Sequence, residues 1–136
     1  MSIRFDKALL ERLRRRAAVQ DSTPSGLAQR LVDEGLRAQE HPGIVFRDGP
    51  SGRRAALAAG PDVWEIVAAV RGSGVQDERR VVATAAQELA LAPSQVRLAL
   101  DYYGAFAEEI DAQITENELA AAEALAAFEA RRRLLA

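Results

Sequence analysis

The sequence predicts a mainly α-helical protein with one short strand near its N-terminus and one β-hairpin near its middle. Apolar residues recur at helical spacing through most of the chain, whereas the polar/apolar alternation typical of a strand is confined to residues 2–5. Turn-forming residues concentrate at positions 48–52 between two short apolar stretches, which is the pattern of a hairpin. After Gly104 the chain is rich in Ala and Glu and predicts one long C-terminal helix.

The first element is the alternating stretch Ser2-Ile3-Arg4-Phe5, which predicts a strand. The backbone N–H and C=O groups of a strand need partners, and no partner strand lies beside it in the sequence. We therefore expect it to pair with the same strand of a second copy. Asp6 is expected to cap a helix that starts at Lys7, because its carboxylate can accept N–H groups of the first turn.

A second helix follows the turn predicted at Gln20–Ser22. Thr23 is a suitable cap, and Pro24 suits the first helical position because its missing N–H would have no partner there. The apolar stripe of this helix consists of Leu27, Ala28, Leu31, Val32, Gly35 and Leu36. We expect the helix to end near Gln39, before His41-Pro42-Gly43.

The hairpin is predicted from a strand at Ile44–Phe46, turn residues Asp48–Gly52 and a return strand at Arg54–Leu57. Pro61 is expected to open the next helix, and Gly72-Ser73-Gly74 to end it. The helices expected after that lie at residues 76–89, at residues 94–103 and from residue 105 onward.

Charge is unevenly distributed along the chain. Residues 1–37 contain 8 Lys/Arg and 5 Asp/Glu, a net charge of +3. Of the 18 basic and 20 acidic residues in the whole chain, this leaves 10 basic and 15 acidic ones in the remainder, a net charge of −5. The asymmetry favours nucleic acid as a partner for the first part and a different partner for the second. The alternative is that both sets are solvated surface.

The residue types argue against an enzyme. There is no cysteine, so neither a disulfide nor a thiolate metal site can form. His41 is the single histidine, and beside Pro42-Gly43 it is better interpreted as a linker residue than as a base. We expect no catalytic residues, metal or cofactor. No signal peptide or apolar run of membrane-spanning length is evident, so we expect a cytoplasmic protein.

The stretches SIRFDKALLERLRRRA and STPSGLAQRLVDEGL together resemble a ribbon-helix-helix domain of small bacterial repressors and antitoxins, over residues 2–39. The likeness lies in the alternating strand, the Asp that opens the first helix and the Ser/Thr-x-Ser-x-x-Leu start of the second. It implies an intertwined dimer in which two strands form a ribbon. The resemblance also implies that the N-terminus of the second helix holds a DNA phosphate, through Thr23 and Ser25.

Such a ribbon fits the major groove of DNA. Ile3 and Phe5 would face the shared core, while Ser2 and Arg4 would face outward. Arg4 could then donate to guanine, and Ser2 to a base edge or a phosphate. Two alternatives stay open: Thr23 and Ser25 as plain helix caps, and Arg14-Arg15-Arg16 as a solvated helix face.

A second resemblance covers residues 44–118. The segments PDVWEIVAAVRG and LAPSQVRLALDYYGAFAEEIDAQITENE resemble a small winged, helix-turn-helix-like domain of antitoxins that pair with PIN-type ribonucleases. The helix at residues 94–103 occupies the place of a recognition helix, yet its obvious polar residues are Gln95, Arg97 and Asp101. We favour a structural or dimerising role for this domain. Its aromatic residues are expected to pack in its own core and not in an interface; they are Trp64, Tyr102, Tyr103 and Phe106.

The C-terminal helix has no evident partner in the rest of the sequence. An apolar helix face of this kind can lie in a groove of another protein or pair with its own copy. Leu125 and Phe128 supply apolar side chains. The resemblance implies a nuclease with clustered acidic metal ligands, which Arg131, Arg132 and Arg133 could block through charge-assisted pairing. The alternative is that these cations only suit a helix C-terminus.

The expected organisation is a ribbon-helix-helix DNA-binding and dimerisation domain at residues 1–40, a hairpin plus helical domain at 41–104, and a candidate toxin-binding helix at 105–136. The expected function is that of a DNA-binding antitoxin of a type II toxin–antitoxin system. Its partners would be operator DNA, a PIN-like toxin ribonuclease and at least one further copy. The alternative is a repressor without a toxin, whose second domain oligomerises or senses a ligand.

Overall fold

The computed structural model describes residues 1–50, 52–74 and 76–136. The mainly helical class, the central hairpin and the long C-terminal helix predicted from the sequence are present. The chain divides into two compact units, Met1–Pro42 and Gly43–Ala136, called here unit 1 and unit 2. The elements in chain order are α1 (Lys7–Val19), α2 (Pro24–Glu40), β1 (Ile44–Gly49), β2 (Gly52–Leu57), α3 (Val63–Gly72), α4 (Glu78–Leu89), α5 (Pro93–Ala105) and α6 (Ala107–Leu135).

Both helices of unit 1 begin at the predicted caps. The Asp6 carboxylate accepts a hydrogen bond from the backbone N–H of Leu9 at 2.8 Å. The Thr23 hydroxyl oxygen accepts one from the N–H of Gly26 at 3.0 Å, with Pro24 at the first helical position. Each cap satisfies an N–H that the helix itself cannot pair, so the local sequence fixes where both helices begin.

Residues 1–6 belong to no helix or strand in the single chain. The strand predicted at Ser2–Phe5 is therefore not formed within one copy. The physical reason is that a strand needs a second backbone edge, and the one sheet of the described residues pairs β1 with β2 alone. Pairing of residues 2–5 with a second chain stays a prediction.

The hairpin forms as predicted, with longer strands. β1 and β2 pair antiparallel in a register that runs from Ile44 opposite Leu57 to Gly49 opposite Gly52. Ser51, which the sequence places in the turn, lies outside the described residues. Arg47 holds the end of the hairpin, because its guanidinium donates to the carbonyl oxygens of Leu57 at 2.5 Å and Gly60 at 3.1 Å.

The core of unit 2 lies between the hairpin and the four helices α3–α6. Tyr102 is completely buried; its ring packs 4.7 Å from that of Phe106, and its hydroxyl donates to Glu109 at 3.3 Å. Trp64, Tyr103 and Phe106 are partly buried against the same core. The prediction that the aromatic residues pack within their own domain is confirmed.

The predicted start of the third helix at Pro61 is wrong by two residues. α3 begins at Val63, with Asp62 at the N-cap position. The Asp62 carboxylate makes no capping bond; it accepts from the Trp64 indole at 3.1 Å and pairs with Arg54 at 3.0 Å. Asp62 also forms a bridge with β2, so the chain stays extended there before the helix starts.

The first turns of α6 belong to the core of unit 2. Ile110 and Ile114 are buried. Outside this apolar contact, Arg71 of α3 donates to the hydroxyl of Tyr103 at 2.9 Å and pairs with Asp111. The Tyr103 hydroxyl and then the Asp111 carboxylate raise the pKa of Arg71 above its usual value, so this polar link between α3 and α6 stays charged.

Beyond Ile114 the environment of α6 changes completely. Every residue from Thr115 to Ala136 is exposed. Throughout the ranges that the structure describes, the helices lack an apolar stretch long enough to cross a membrane.

Candidate functional site

The four predicted DNA-binding residues lie in two places on unit 1. Ser2 and Arg4 are in the exposed segment that precedes α1. Thr23 and Ser25 are at the exposed N-terminus of α2. The fold of one chain therefore groups these residues in two pairs.

The N-terminus of α2 can both cap itself and meet an anion. The Thr23 hydroxyl accepts from Gly26 N–H, and the same hydroxyl still has its own proton to donate. A Cβ at residue 26 would come 3.0 Å from the Thr23 hydroxyl oxygen, so glycine leaves room for this short cap. Because helix dipoles place positive potential at this end, capping and phosphate binding are compatible roles for Thr23.

The apolar residues of unit 1 lie largely on its surface. Ala17 and Leu27 are buried, but Ile3 is 69% exposed and Leu31 48% exposed. Further exposed apolar side chains of this unit are Phe5, Leu9, Val32 and Leu36. A monomeric protein rarely exposes so many large apolar side chains, which favours an interaction surface on unit 1. We call it the unit 1 apolar face.

A groove of about 360 Å³ between α1 and α2 belongs to this face. It is lined by Leu9, Arg12, Leu13, Arg16, Leu27 and Leu31. The remaining cations of α1 are exposed, and Arg15 pairs with Glu11 at 3.8 Å. Apolar and cationic side chains therefore adjoin on unit 1.

The predicted recognition helix offers less to DNA. In α5 Arg97 and Asp101 are exposed and carry opposite charges one helical turn apart. The Gln95 side chain accepts from the backbone N–H of Ala92 at 2.8 Å and so helps to start the helix. A single cation remains on this part of α5, which supports the structural role favoured from the sequence.

The predicted toxin-binding residues lie on the exposed part of α6. Leu125 and Phe128 are exposed, and the guanidinium of Arg132 lies 5.9 Å from the centre of the Phe128 ring. Steps of three and four residues place Leu125, Phe128 and Arg132 on one face of the helix. Arg131 and Arg133 project to either side of that face, because each residue turns the helix by about 100°.

Sequence reasoning missed a groove in unit 2. It has a volume of about 240 Å³ and is lined by Pro50, Arg54, Trp64, Gln113, Glu116, Asn117 and Ala120. The buried side-chain oxygen of Gln113 has no hydrogen-bond partner among the described residues. The lining comes from three separate segments of the chain, so no local pattern could have indicated it.

In the part of the chain that the structure describes, no three His, Cys, Asp or Glu side chains are grouped in a way that could hold a metal ion. Comparisons of the chain with models of known protein families, with curated proteins and with solved structures found no match. Function is therefore inferred from the two exposed surfaces, the unit 1 apolar face and the outer part of α6.

Proposed function

We propose that this chain is a homodimeric DNA-binding antitoxin of a type II toxin–antitoxin system. Unit 1 binds the operator of its own operon, and the C-terminal part neutralises a PIN-like ribonuclease. The observation that carries the proposal is the unit 1 apolar face, because two short helices with an exposed apolar surface and adjoining cations are half of a DNA-binding dimer. About 40 residues are too few to bury a full core alone.

A second copy supplies what unit 1 lacks. Antiparallel pairing of residues 2–5 from two chains satisfies their backbone groups and directs Ile3 and Phe5 into a shared core of four helices. Arg4 then lies on the outer face of the ribbon, where it donates to guanine in the major groove. Thr23 and Ser25 hold phosphates on either side, which fixes the register of the ribbon on the duplex.

The toxin contact is assigned to the outer part of α6. Leu125 and Phe128 provide an apolar face for a groove on the toxin. Arg131, Arg132 and Arg133 then reach acidic metal ligands of a PIN-like site by charge-assisted hydrogen bonds. Support for this step comes from the exposure of these side chains, which leaves them accessible to a partner.

The DNA-binding half is tested by Arg4→Ala against a DNA fragment from upstream of the gene. Loss of one base contact weakens specific binding by about 1–3 kcal/mol. The matched control is Arg14→Ala, which should weaken specific and random DNA alike. If a dimer neutralises about six phosphates, the logarithm of the affinity falls with the logarithm of salt concentration with a slope near −5. Full operator affinity in Arg4→Ala contradicts the readout role.

The toxin-binding half is tested by truncation. Deletion from residue 105 would remove the buried Ile110 and Ile114, so the cut belongs after Asn117. The truncated chain should keep DNA binding and lose co-purification with a PIN-like nuclease encoded beside it. A truncated chain that still co-purifies with that nuclease removes the outer part of α6 from the proposal.

A second candidate is a repressor without a toxin, whose unit 2 senses a small ligand. The groove beside Trp64 favours it, because the unpaired oxygen of Gln113 is a buried acceptor for a ligand donor. A nuclease gene directly beside this one favours the antitoxin, and its absence favours the sensor. Gln113→Leu should then abolish the response to the ligand without destabilising unit 2.

A further inference from the structure

We infer that the exposed part of α6, Thr115–Ala136, pairs antiparallel with the same segment of a second copy. This segment is called the outer helix. The inference does not rest on the proposed function, because it concerns the protein without DNA or toxin. The starting observation is that one surface of α6 buries Ile110 and Ile114 in the core of unit 2. The same surface continues through Ala121, Leu125 and Phe128, which follow at steps of three, four and seven residues. These three side chains are exposed.

Aligned to a seven-residue repeat, the outer helix places four apolar and two polar side chains at its inward positions. One inward position of the repeat holds Ala121, Phe128 and Leu135. The other inward position holds Asn117, Ala124 and Arg131. The flanking position next to this seam holds Glu118, Leu125 and Arg132.

Charge decides the direction of the pair. The first half of the outer helix is acidic, with Glu116, Glu118 and Glu123, and its end is basic, with Arg131–Arg133. A parallel pair would place Glu118 beside Gln113 and Arg132 beside Ala127 of the second copy, so neither charge would meet an opposite one. An antiparallel pair centred on Leu125 instead places each Glu118 beside Arg132 of the second copy.

Side-chain size agrees with the same register. When Leu125 meets its own copy, Phe128 packs opposite Ala124, so a large side chain fills the space that a small one leaves. Arg131 falls opposite Ala121, past which its long stem can reach solvent. The alanines around the seam allow the two backbones to approach closely. The overlap of residues 117–135 is about 28 Å long.

Self-pairing covers residues that are also assigned to the toxin contact. Leu125, Phe128 and Arg132 cannot serve both partners at once. A second copy and a toxin therefore compete for one face of the outer helix, and the free protein protects its exposed apolar side chains by pairing them.

Site-specific cross-linking tests the register, because the chain has no native cysteine. Two differently tagged chains, one with Glu118→Cys and one with Arg132→Cys, are co-expressed and treated with a short bis-maleimide. The mixed product should exceed either same-site product by about ten-fold. Leu125→Cys alone should cross-link to itself, whereas Leu119→Cys, equally exposed but on the opposite side of the helix, should not. Same-site products at 118 and 132, or equal yields at all positions, overturn the inference.

Charge reversal tests the direction independently. Starting from Leu125→Cys, addition of Arg132→Glu should lower the cross-linked yield by about five-fold, because each pair of copies loses two opposite-charge contacts and gains two repulsions. Glu118→Arg should do the same. The chain with both reversals restores the opposite charges and should recover the yield. All three variants change exposed side chains, so their folding is unaffected. A double reversal that stays at the level of the single ones contradicts antiparallel pairing.

Discussion

Unit 1 and unit 2 are both built mainly from short amphipathic helices, yet they place their apolar residues differently. In unit 2 the large apolar and aromatic side chains converge on Tyr102, and the hairpin closes one side of the core. In unit 1 Ala17 and Leu27 are buried, while Leu31 and its apolar neighbours remain at the surface. Unit 2 encloses its core within a single chain, whereas the exposed apolar residues of unit 1 fit our proposal that a second chain covers them.

The same contrast recurs within α6. Its inner turns bury Ile110 and Ile114, and its outer helix exposes Leu125 and Phe128 on a continuation of that face. An uninterrupted helix therefore runs from a well-packed core to an exposed segment with apolar side chains. The exposed apolar residues of α6 and unit 1 are where we propose that partners bind.

The largest loss of stability is expected in unit 2. Tyr102→Ala removes a fully buried ring and should lower the free energy of unfolding of unit 2 by about 3–5 kcal/mol. The loss should be independent of protein concentration, because this core lies within one chain. Urea unfolding followed by Trp64 fluorescence measures it, with Leu119→Ala as the exposed control. A loss below about 1 kcal/mol would mean that Tyr102 is not central to the core.

In unit 1 we expect a large loss of stability from a substitution at Leu31, which is half-exposed in the single chain. In a single chain, Leu31→Asn would lower stability by about 1 kcal/mol, because about half of the Leu31 side chain is already buried. If a second copy covers the unit 1 apolar face, the same change should cost about 2–4 kcal/mol through lost burial and an unpaired amide. Val19→Asn is the matched control, because Val19 is 77% exposed and lies outside the groove that contains Leu31. Equal effects of the two substitutions in circular dichroism melts contradict a covered face.

Protein concentration separates the two units directly. Each ten-fold increase in protein concentration should stabilise a dimeric unit 1 by about 1.4 kcal/mol per dimer. The stability of the intrachain core of unit 2 should not change. Native-state hydrogen exchange resolves this difference when amides of α1 and α3 are compared at two concentrations. Concentration-independent exchange in α1 would show that unit 1 does not need a second copy.

The sequence predicted local structure best where one residue type decides it. Asp6, Thr23 and Pro24 fix the starts of α1 and α2 through their own side chains, and these starts were correct. The start of α3 was missed because Asp62 forms a bridge with Ala56 of β2 and its carboxylate pairs with Arg54 in place of capping the helix. Such a choice depends on tertiary contacts, which helix-start rules cannot see.

The candidate site shows the same limit. The helical position of Leu125, Phe128 and Arg132 on one face follows from spacing alone. The groove around Gln113 does not, since its walls come together only after the hairpin packs near α6. The strand at residues 2–5 is a third case, because its partner is expected in another copy. Sequence patterns thus predicted exposed faces well, and contacts between distant segments poorly.

The smallest predicted difference concerns helix caps. Asp6 and Asp77 both precede helices, but Asp6 accepts a backbone N–H at 2.8 Å, whereas Asp77 makes no such bond among the described residues. Asp6→Ala should therefore lower the stability of unit 1 by about 1 kcal/mol, and Asp77→Ala that of unit 2 by about 0.3 kcal/mol, the remainder being the helix-dipole contribution. Asp6→Asn keeps the acceptor and should recover most of the loss. Hydrogen exchange in the first turns of α1 and α4 reports each cap separately. If the two alanine variants lose equal stability, the hydrogen-bonded cap at Asp6 is not what sets the start of α1.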